Sequence, residues 1–398
     1  MLIELNPAEG AVMAPMSFGQ ERLWFVDGVV QDAALYNVRK ALRLRGSVDV
    51  AALQESIDAL VRRHEILRTS FSLVDDRPMQ IVEPALHVPL ASIDLSALSP
   101  SERETKLERV VREEGGRRFT LSAVPLLRAM LVRLAPQDHV LVLTLHHIIT
   151  DEWSGDILYR ELSSAYAAYC AGREPDFEEL PIQYADYAVW QREWLQGDVL
   201  ERQLAFWRDR LAGAPPRTEL PLDRARTTIL HAPQAGSESL VLPRALGEAL
   251  HELGRRHGVT PFMLLLAAFR VLLFRYTGQS DLVVGSPVAN RPRRELQNLI
   301  GFFVNTLLLR ASVRAEDRFS DVLRNERETV LAAFEHQDVP FEKLVAELAP
   351  DRSIGGTPFV NVLFVVRHKG EHAPELGALQ LGPVKLTQAK AKFDLTLN

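Results

Sequence analysis

One stretch, which runs from an apolar strand through a polar turn into a long helix, constrains the fold most strongly. Residues Val140–Leu145 are almost wholly apolar, which is typical of a strand covered on both faces of a sheet. A helical pattern then runs over Glu152–Cys170, and Ala171-Gly172 closes it. A second strand is predicted over Pro125–Leu134, joined by a turn to the strand His139–Ile149. Strands and helices in this arrangement predict an α/β (α+β) fold of packed layers.

The same mixture of helices and strands continues along the 398 residues, a length that predicts two or three domains. The predicted helices are Val50–His64, Tyr184–Leu195 and Pro261–Tyr276, and the predicted strands are Asp281–Ser286, Thr306–Val313 and Phe359–Val366. Pro215–Gly236 and His368–Gly382 are rich in proline, glycine and charge, and are predicted as loops. The acidic, proline-containing connection Arg173–Pro181 predicts a boundary between units 1–178 and 179–398.

Composition excludes several classes of protein. Hydrophobic residues make up 47% of the chain and charged residues 25%, which excludes a disordered or fibrous protein. The formal net charge of -6 gives no broad basic field for nucleic acid. One cysteine, Cys170, forms neither a disulfide framework nor a thiolate zinc site. The N-terminal residues lack the pattern of a signal peptide, and the longest apolar run, Pro261–Phe269, is too short to span a bilayer. We therefore expect a cytoplasmic protein without a membrane partner.

The polar turn after the apolar strand carries two adjacent histidines and an aspartate. If the strand continues through His147, alternation sends His146 and His147 to opposite faces, so at most one of them faces a given cavity. Asp151 falls at the junction of strand and helix, where a carboxylate caps the helix or fixes a cation. A histidine at the end of a buried strand is a candidate general base. The structural alternative is a packed histidine followed by an aspartate N-cap.

Two other chemistries use the same residue types but are poorly supported. Ser154 and Asp156 suggest a Ser/His/Asp hydrolase, yet Ser154 does not lie in a G-x-S-x-G nucleophile turn. His146, His147 and Asp151 carry side chains that bind metals, but opposite strand faces keep the two histidines from sharing one ion.

An ordered series of segments resembles the motifs of condensation domains from nonribosomal peptide synthetases. His146–Asp151 resembles the HHxxxD core of that family. The other matching segments are Ser17–Phe25, Arg63–Thr69, Tyr184–Trp190, Ile300–Thr306 and His336–Phe341, with a looser match at Asp351–Ser353 and Pro358-Phe359. The HHxxxD pattern alone is short, but the series follows the family's order and extends over nearly the whole chain.

The resemblance implies a fold, a reaction and partners. Members of the family are similar to chloramphenicol acetyltransferase, with two such lobes arranged as a V and a substrate tunnel between them. Donor and acceptor peptidyl carrier proteins deliver substrates to the tunnel as phosphopantetheine thioesters, usually beside an adenylation domain. The acceptor's α-amine attacks the donor thioester and forms a peptide bond. The domain itself is expected to bind no metal and no soluble cofactor.

The resemblance also assigns roles to individual residues. His147 is implied to be the catalytic histidine, which acts as a base or orients the amine, while His146 packs on the opposite face. Asp151 is implied to be structural, with Arg291 from the other lobe as its candidate ion-pair partner. Asn305 is expected to hydrogen-bond a substrate amide. The residues expected to line the substrate tunnel are Glu152, Trp153, Ser154, Gly301 and Asn305.

Two features depart from the family pattern. Glu152 stands where the family commonly has glycine, and it either raises the pKa of His147, narrows the tunnel or faces outward. The outward orientation is favoured because a carboxylate in the first turn of a helix is stabilised by the macrodipole. Phe393–Leu397 resembles a strand that in the family precedes another strand and a final helix. The chain stops at Asn398, so we expect an excised fragment or a shortened domain.

Three functions follow from these observations. The leading one is an amide-forming condensation domain, because both histidines are present where heterocyclising relatives carry aspartates. The second is a catalytically silent domain that recruits a carrier protein or a tailoring enzyme, which Glu152 and the C-terminal end motivate. The third is a free-standing acyltransferase that uses soluble acyl thioesters.

Overall fold

The computed structural model describes residues 4–6, 10–29, 34–223, 235–348, 359–367, 376–384 and 392–398. The chain divides into two compact units. The first unit comprises Met1–Trp194, Arg291–Phe303 and Gly370–Thr387, and the second comprises Leu195–Asn290, Val304–Lys369 and Gln388–Asn398. The chain therefore returns twice to the first unit after leaving it at Trp194.

The described residues form strands, α-helices and short 3-10 turns. The strands are β1 Glu4–Asn6, β2 Ala11–Pro15, β3 Asn37–Arg45, β4 Thr69–Val74, β5 Arg77–Val82, β6 Leu90–Asp94, β7 Leu127–Ala135, β8 Asp138–His146, β9 Asp281–Val288, β10 Asn305–Ser312, β11 Val362–Phe364, β12 Gln380–Pro383 and β13 Leu395–Leu397. The helices are α1 Phe18–Val29, α2 Val50–Arg63, α3 Pro100–Gly116, α4 Glu152–Cys170, α5 Tyr184–Trp194, α6 Gly197–Leu211, α7 Arg244–His257, α8 Pro261–Thr277, α9 Phe319–Glu335 and α10 Phe341–Leu348. The 3-10 turns are Glu65–Arg68, His147–Ile149 and Arg294–Leu296.

The first unit is built around a five-stranded sheet of order β12-β3-β8-β7-β6, with β8 antiparallel to both of its neighbours. Alternate residues of β8 enter different cores. Leu141, Leu143 and Leu145 belong to the core that includes α2 and α4, whereas Val140 and Val142 pack with α3. The strand that the sequence predicts as doubly covered is therefore buried on both faces, and it ends at the candidate site. A four-stranded sheet of order β1-β2-β5-β4 completes this unit.

The second unit contains a four-stranded sheet of order β10-β9-β11-β13. Arg270 of α8 and Glu326 of α9 form an ion pair whose side chains are fully buried. Arg270 also donates hydrogen bonds to the carbonyl oxygens of Leu282 and Leu309, so one side chain joins both helices to β9 and β10. Among the described residues, no single helix has the length and apolar character to cross a membrane, although α7 and α8, a sharply bent pair, pass that test when taken together.

The predicted α/β class is confirmed, and most predicted elements lie within a residue or two of the observed ones. The strand predicted over His139–Ile149 is an exception, because β8 ends at His146 and the backbone turns into a 3-10 helix. The segment predicted as the loop His368–Gly382 contains most of β12, which pairs with β3. Strand β11 is shorter than the predicted strand Phe359–Val366. Asp351–Ser353 and Pro358, from the loosely matching last motif, lie outside the described residues.

The two compact units do not coincide with the division predicted at residue 178. The first unit extends to Trp194 because α5 packs against β2 and against the turn Glu65–Arg68. It also includes the distant segment Arg291–Phe303, whose contacts with α4 form part of the candidate site described below.

Candidate active site

His147 begins the 3-10 turn that follows β8, and two hydrogen bonds fix its position. Its backbone N–H donates to the carbonyl oxygen of Tyr36 at 2.8 Å. Its ring Nδ1 lies 2.6 Å from the carbonyl oxygen of Thr150. A carbonyl only accepts hydrogen bonds, so Nδ1 carries the proton and, in the neutral ring, Nε2 is the basic nitrogen. The half-buried ring packs edge-on against Phe302, with ring centroids 5.0 Å apart.

His146 differs from its neighbour in every one of these respects. Its side chain is 1% exposed and is enclosed by the rings of Tyr36 and Phe119. Its Nδ1 accepts the backbone N–H of Ile148 at 3.2 Å, inside the turn that carries His147. The two histidines therefore have different surroundings, as the alternation argument expects. The reason is different, because β8 ends at His146 and a turn, not strand alternation, redirects His147.

Asp151 caps the N-terminus of α4 and is surrounded by donors. Its Oδ1 accepts the backbone N–H of Ser154 at 2.8 Å, and its Oδ2 accepts that of Phe303 at 3.0 Å. Nη2 of Arg291 donates to Oδ1 at 3.2 Å and to Oδ2 at 3.3 Å. The carboxylate is 2% exposed, so its charge is held by these donors and not by water. A structural role for Asp151 follows from this geometry.

Arg291 is the ion-pair partner of Asp151, but it does not come from another unit as expected. It belongs to the segment Arg291–Phe303, which is part of the same compact unit as α4. Its Nη1 donates to the carbonyl oxygens of Leu296 and Leu299, which closes this segment on itself. Burial lowers the pKa of Arg291, while the neighbouring Asp151 carboxylate opposes that shift. The guanidinium thus joins the helix cap of α4 to a loop 140 residues away in sequence.

The hydroxyl of Ser154 is fully engaged in the same network. Its Oγ donates to the carbonyl oxygen of Gly301 at 2.9 Å and accepts the N–H of Gly301 at 3.1 Å. It also accepts Nη2 of Arg291 at 2.8 Å. A buried hydroxyl with three partners on its own chain is not available as a nucleophile, so the structure offers no support for the hydrolase alternative. The expected contact of Ser154 with substrate is likewise replaced by a structural one.

Removal of the Ser154 hydroxyl tests this network. We expect Ser154→Ala to lower the free energy of unfolding by about 1–3 kcal/mol, because it leaves buried donors of Gly301 and Arg291 without their acceptor. Ser164→Ala, at an exposed position of the same helix, is the matched control and should change stability by less than about 0.5 kcal/mol. Urea denaturation of both variants checks the prediction. Equal midpoints would show that the Ser154 hydroxyl does not hold Gly301.

Gly301 is required by close packing. A Cβ built at this position would lie 2.0 Å from the ring of Tyr184. The Tyr184 hydroxyl donates to the carbonyl oxygen of Phe302 at 2.6 Å and shares a 2.9 Å hydrogen bond with the hydroxyl of Ser17. Burial raises the pKa of Tyr184 well above its usual value, so the phenol stays protonated as a donor. Motif residues from three distant parts of the chain therefore meet around the backbone of residues 301–303.

Glu152 and Trp153, in the first turn of α4, lie on the outer side of the site. The side chain of Glu152 is 62% exposed, and its carboxylate is 3.9 Å from Nζ of Lys40. Trp153 is 45% exposed, and its indole N–H donates to the carbonyl oxygen of Gln297. The outward orientation favoured for Glu152 is the one observed, and Trp153 serves to anchor the Arg291–Phe303 segment.

Asn305 lies in the second unit and does not act as expected. Its Nδ2 donates to the carbonyl oxygens of Gln337 and Val339, each at 2.8 Å. Its Oδ1 accepts the backbone N–H groups of Phe341 and Thr306. Every polar atom of the amide is used by the chain's own backbone, so the expected hydrogen bond to a substrate amide has no atom left to form it. Asn305 instead holds the Gln337–Phe341 segment beside β10.

Sequence reasoning missed several groups of the site. The carbonyl oxygen of Thr150 gives no signal because any residue supplies one. Phe302, whose ring packs on His147, was visible only as part of a matching motif. Asp27 is another, since it lies on α1 and its Oδ1 is 3.8 Å from Nε2 of His146. Within the described ranges, no three His, Cys, Asp or Glu side chains come together as a metal site would require.

Comparison with known proteins agrees with this arrangement. Residues 11–398 match the family model described as the condensation domain. A linear gramicidin synthase from Brevibacillus parabrevis is 47% identical over 385 residues, which cover 96% of this chain and 5% of that synthase. The X-domain from teicoplanin biosynthesis, solved in complex with OxyB, is 32% identical with a TM-score of 0.84, covering 96% of this chain and 83% of that one.

A further solved structure, the first condensation domain of the CDA synthetase, has a TM-score of 0.77 over 95% of this chain and 88% of that one. At 22% identity, this likeness shows the fold alone. The curated relatives are far longer, since the chain spans 5% of the length of the gramicidin synthase and 35% of the phosphinothricin tripeptide synthetase PhsC from Streptomyces viridochromogenes, which is 42% identical over 96% of this chain. The chain thus corresponds in length to one part of such a synthase.

Proposed function

The chain belongs to the condensation-domain family, and from this premise we propose that it forms a peptide bond between two carrier-bound substrates, with His147 as the catalytic residue. The donor is an acyl or peptidyl thioester on the phosphopantetheine of one carrier protein. The acceptor is an aminoacyl thioester on a second carrier, and the product remains on that acceptor. The proposal needs no metal and no cofactor of the domain's own.

The observation that carries the proposal is the fixed ring of His147. The 2.6 Å hydrogen bond from Nδ1 to the carbonyl oxygen of Thr150 selects one tautomer and orients the ring. Nε2 is then the nitrogen that accepts a proton. The ring is half-buried, whereas His146 is fully enclosed, so His147 is the member of the pair that a substrate can approach.

In the proposed reaction, the acceptor's α-amine nitrogen attacks the carbonyl carbon of the donor thioester. The C–N bond forms, and the amine gives up a proton to Nε2 of His147. The C–S bond then breaks, and the proton follows to the departing sulfur of the donor phosphopantetheine. An α-amine has a pKa of about 8, so much of the amine is already unprotonated near neutral pH and positioning of the two tethered substrates supplies a large part of the rate.

Asp151 and Arg291 support this chemistry as positioning residues. They hold the start of α4 and the Arg291–Phe303 segment together, and Phe302 of that segment packs on the His147 ring. No substrate atom needs to contact either charge. We therefore assign both residues to the support of the site and not to the proton transfer.

A second function is favoured by one comparison. The X-domain that is 32% identical to this chain was solved in complex with OxyB. By analogy, a domain of this fold recruits another protein and forms no bond itself. This alternative predicts binding without turnover, whereas condensation predicts turnover that depends on His147.

The experiment that separates them uses two loaded carrier proteins. One carries an acyl-aminoacyl donor and the other an aminoacyl acceptor, each on phosphopantetheine, and intact-protein mass spectrometry follows the acceptor after the chain is added. Condensation gives a mass gain on the acceptor equal to the donor acyl group. A carrier that binds but gains no mass supports recruitment. Transfer from a soluble acyl thioester at similarly low concentration would instead support a free-standing acyltransferase.

The position of Glu152 leads to a separate prediction. Because its side chain is exposed and pairs only loosely with Lys40, we expect Glu152→Gly to leave the transfer rate within about twofold of wild type. Loss of the carboxylate near the helix N-terminus and the added backbone freedom should lower stability by about 1 kcal/mol. Initial rates and urea denaturation check both values. A large loss of rate would show that Glu152 takes part in the reaction.

A further inference from the structure

A buried carboxylate approaches the histidine that the proposed reaction does not use. Asp27 lies near the end of α1, is buried, and places Oδ1 3.8 Å from Nε2 of His146. This separation is too long for a hydrogen bond and short enough for a strong interaction between charge and dipole in a buried site. Arg118 contacts both Oδ2 and the backbone oxygen of Asp27 and holds the carboxylate in place.

The tautomer of His146 matters to the turn that follows it. Nδ1 of His146 accepts the N–H of Ile148 at 3.2 Å, and it does so only when Nδ1 carries no proton. The neutral ring then has its proton on Nε2, which is the nitrogen that faces Asp27. A negative charge near Nε2 favours that tautomer, so Asp27 and the Ile148 N–H select the same form of the ring.

The same turn presents His147. Its three residues run from His147 to Ile149, and the N–H of Thr150 closes it on the carbonyl oxygen of His147 at 3.2 Å. The N–H of Ile148 is therefore held by one histidine, and the ring of the other is held by Thr150. A change of the His146 tautomer would replace an acceptor with a donor at Ile148 and push the turn out of this conformation.

We propose that Asp27 is a positioning residue that fixes His146 as the Nε2–H tautomer and thereby fixes the turn that carries His147. The contact is a statement about the fold of the site, while its effect on rate rests on the proposed condensation function. Asp27 acts through His146 and touches no substrate. It deepens the role of His146, which becomes part of the support of the reactive turn as well as of the core.

The test compares Asp27→Asn with the wild-type chain by two readouts. Long-range 15N–1H correlation spectra of the histidine rings report the tautomer of His146 directly. The wild type should show His146 protonated at Nε2 and His147 at Nδ1. In Asp27→Asn, which has the same shape without the charge, the His146 signals should show the Nδ1–H form or exchange between both forms. The single-turnover transfer rate should fall by up to about 100-fold at unchanged acceptor KM.

Two controls keep the result specific. Asp58→Asn removes another buried carboxylate of the first unit, on α2, and should leave both the His146 spectrum and the transfer rate as in wild type. Asp27→Glu keeps the charge and should restore the wild-type tautomer. A wild-type His146 protonated at Nδ1, or an Asp27→Asn variant with unchanged histidine spectra, overturns the proposal. If wild type transfers nothing, the spectra still decide the role of Asp27, and only the condensation function fails.

Discussion

Arg291→Ala is expected to lower the free energy of unfolding by about 3–5 kcal/mol, the usual cost of leaving a buried carboxylate without its partner. Arg291 supplies two contacts to Asp151, one to Ser154 and two to backbone carbonyls of its own segment. Alanine removes all of these donors at once. Loss of order should begin where the donors were, in Arg291–Phe303 and the first turn of α4, before the rest of the unit is affected.

Arg294→Ala is the matched control, because Arg294 is an exposed arginine three residues further along the same segment. We expect its effect to stay below about 0.5 kcal/mol. Urea denaturation gives the overall difference, and hydrogen–deuterium exchange of peptides from residues 291–303 gives the local one. Asp151→Asn should fall between the two variants, since an asparagine still caps α4 but cannot balance the guanidinium charge. Equal stabilities of the Arg291 and Arg294 variants would contradict the role given to the ion pair.

Local pattern was enough to predict the strand and helix that flank the site. The apolar run of β8 and the cap-to-glycine pattern of α4 are properties of neighbouring residues, and both elements lie where they were predicted. The end of β8 was missed because two side-chain contacts, His146 with Ile148 and His147 with Thr150, stop the strand. Alternation of apolar residues contains no information about such contacts.

Long-range placement was the part that local pattern did not reach. Asp151 is 152 residues from Phe303 in sequence, and nothing in either neighbourhood marks them as partners. The Arg291–Phe303 segment was therefore assigned to the wrong unit by a division that follows chain order. Asn305 shows a related limit, since an asparagine that holds backbone and one that holds substrate look alike in a sequence.

His147→Asn is expected to lower the rate of carrier-to-carrier transfer by about 10²- to 10⁴-fold, the usual contribution of a general base. Asparagine is suited to this test because its side-chain NH₂ takes the place of Nδ1–H and donates to the Thr150 carbonyl. The nitrogen at the Nε2 position is lost. The variant should therefore keep the fold of the turn, with an unfolding midpoint close to that of wild type, while it loses the group that accepts the proton.

The most direct test of the catalytic role of His147 is a single-turnover time course of wild type and His147→Asn, run side by side with the same donor-loaded and acceptor-loaded carriers. Intact-protein mass spectrometry of the acceptor carrier gives both rates, and circular dichroism gives both unfolding midpoints. We expect transfer by wild type, a loss in the range above for His147→Asn, and matching midpoints. Transfer at the wild-type rate by His147→Asn would contradict the central claim that His147 is the catalytic residue.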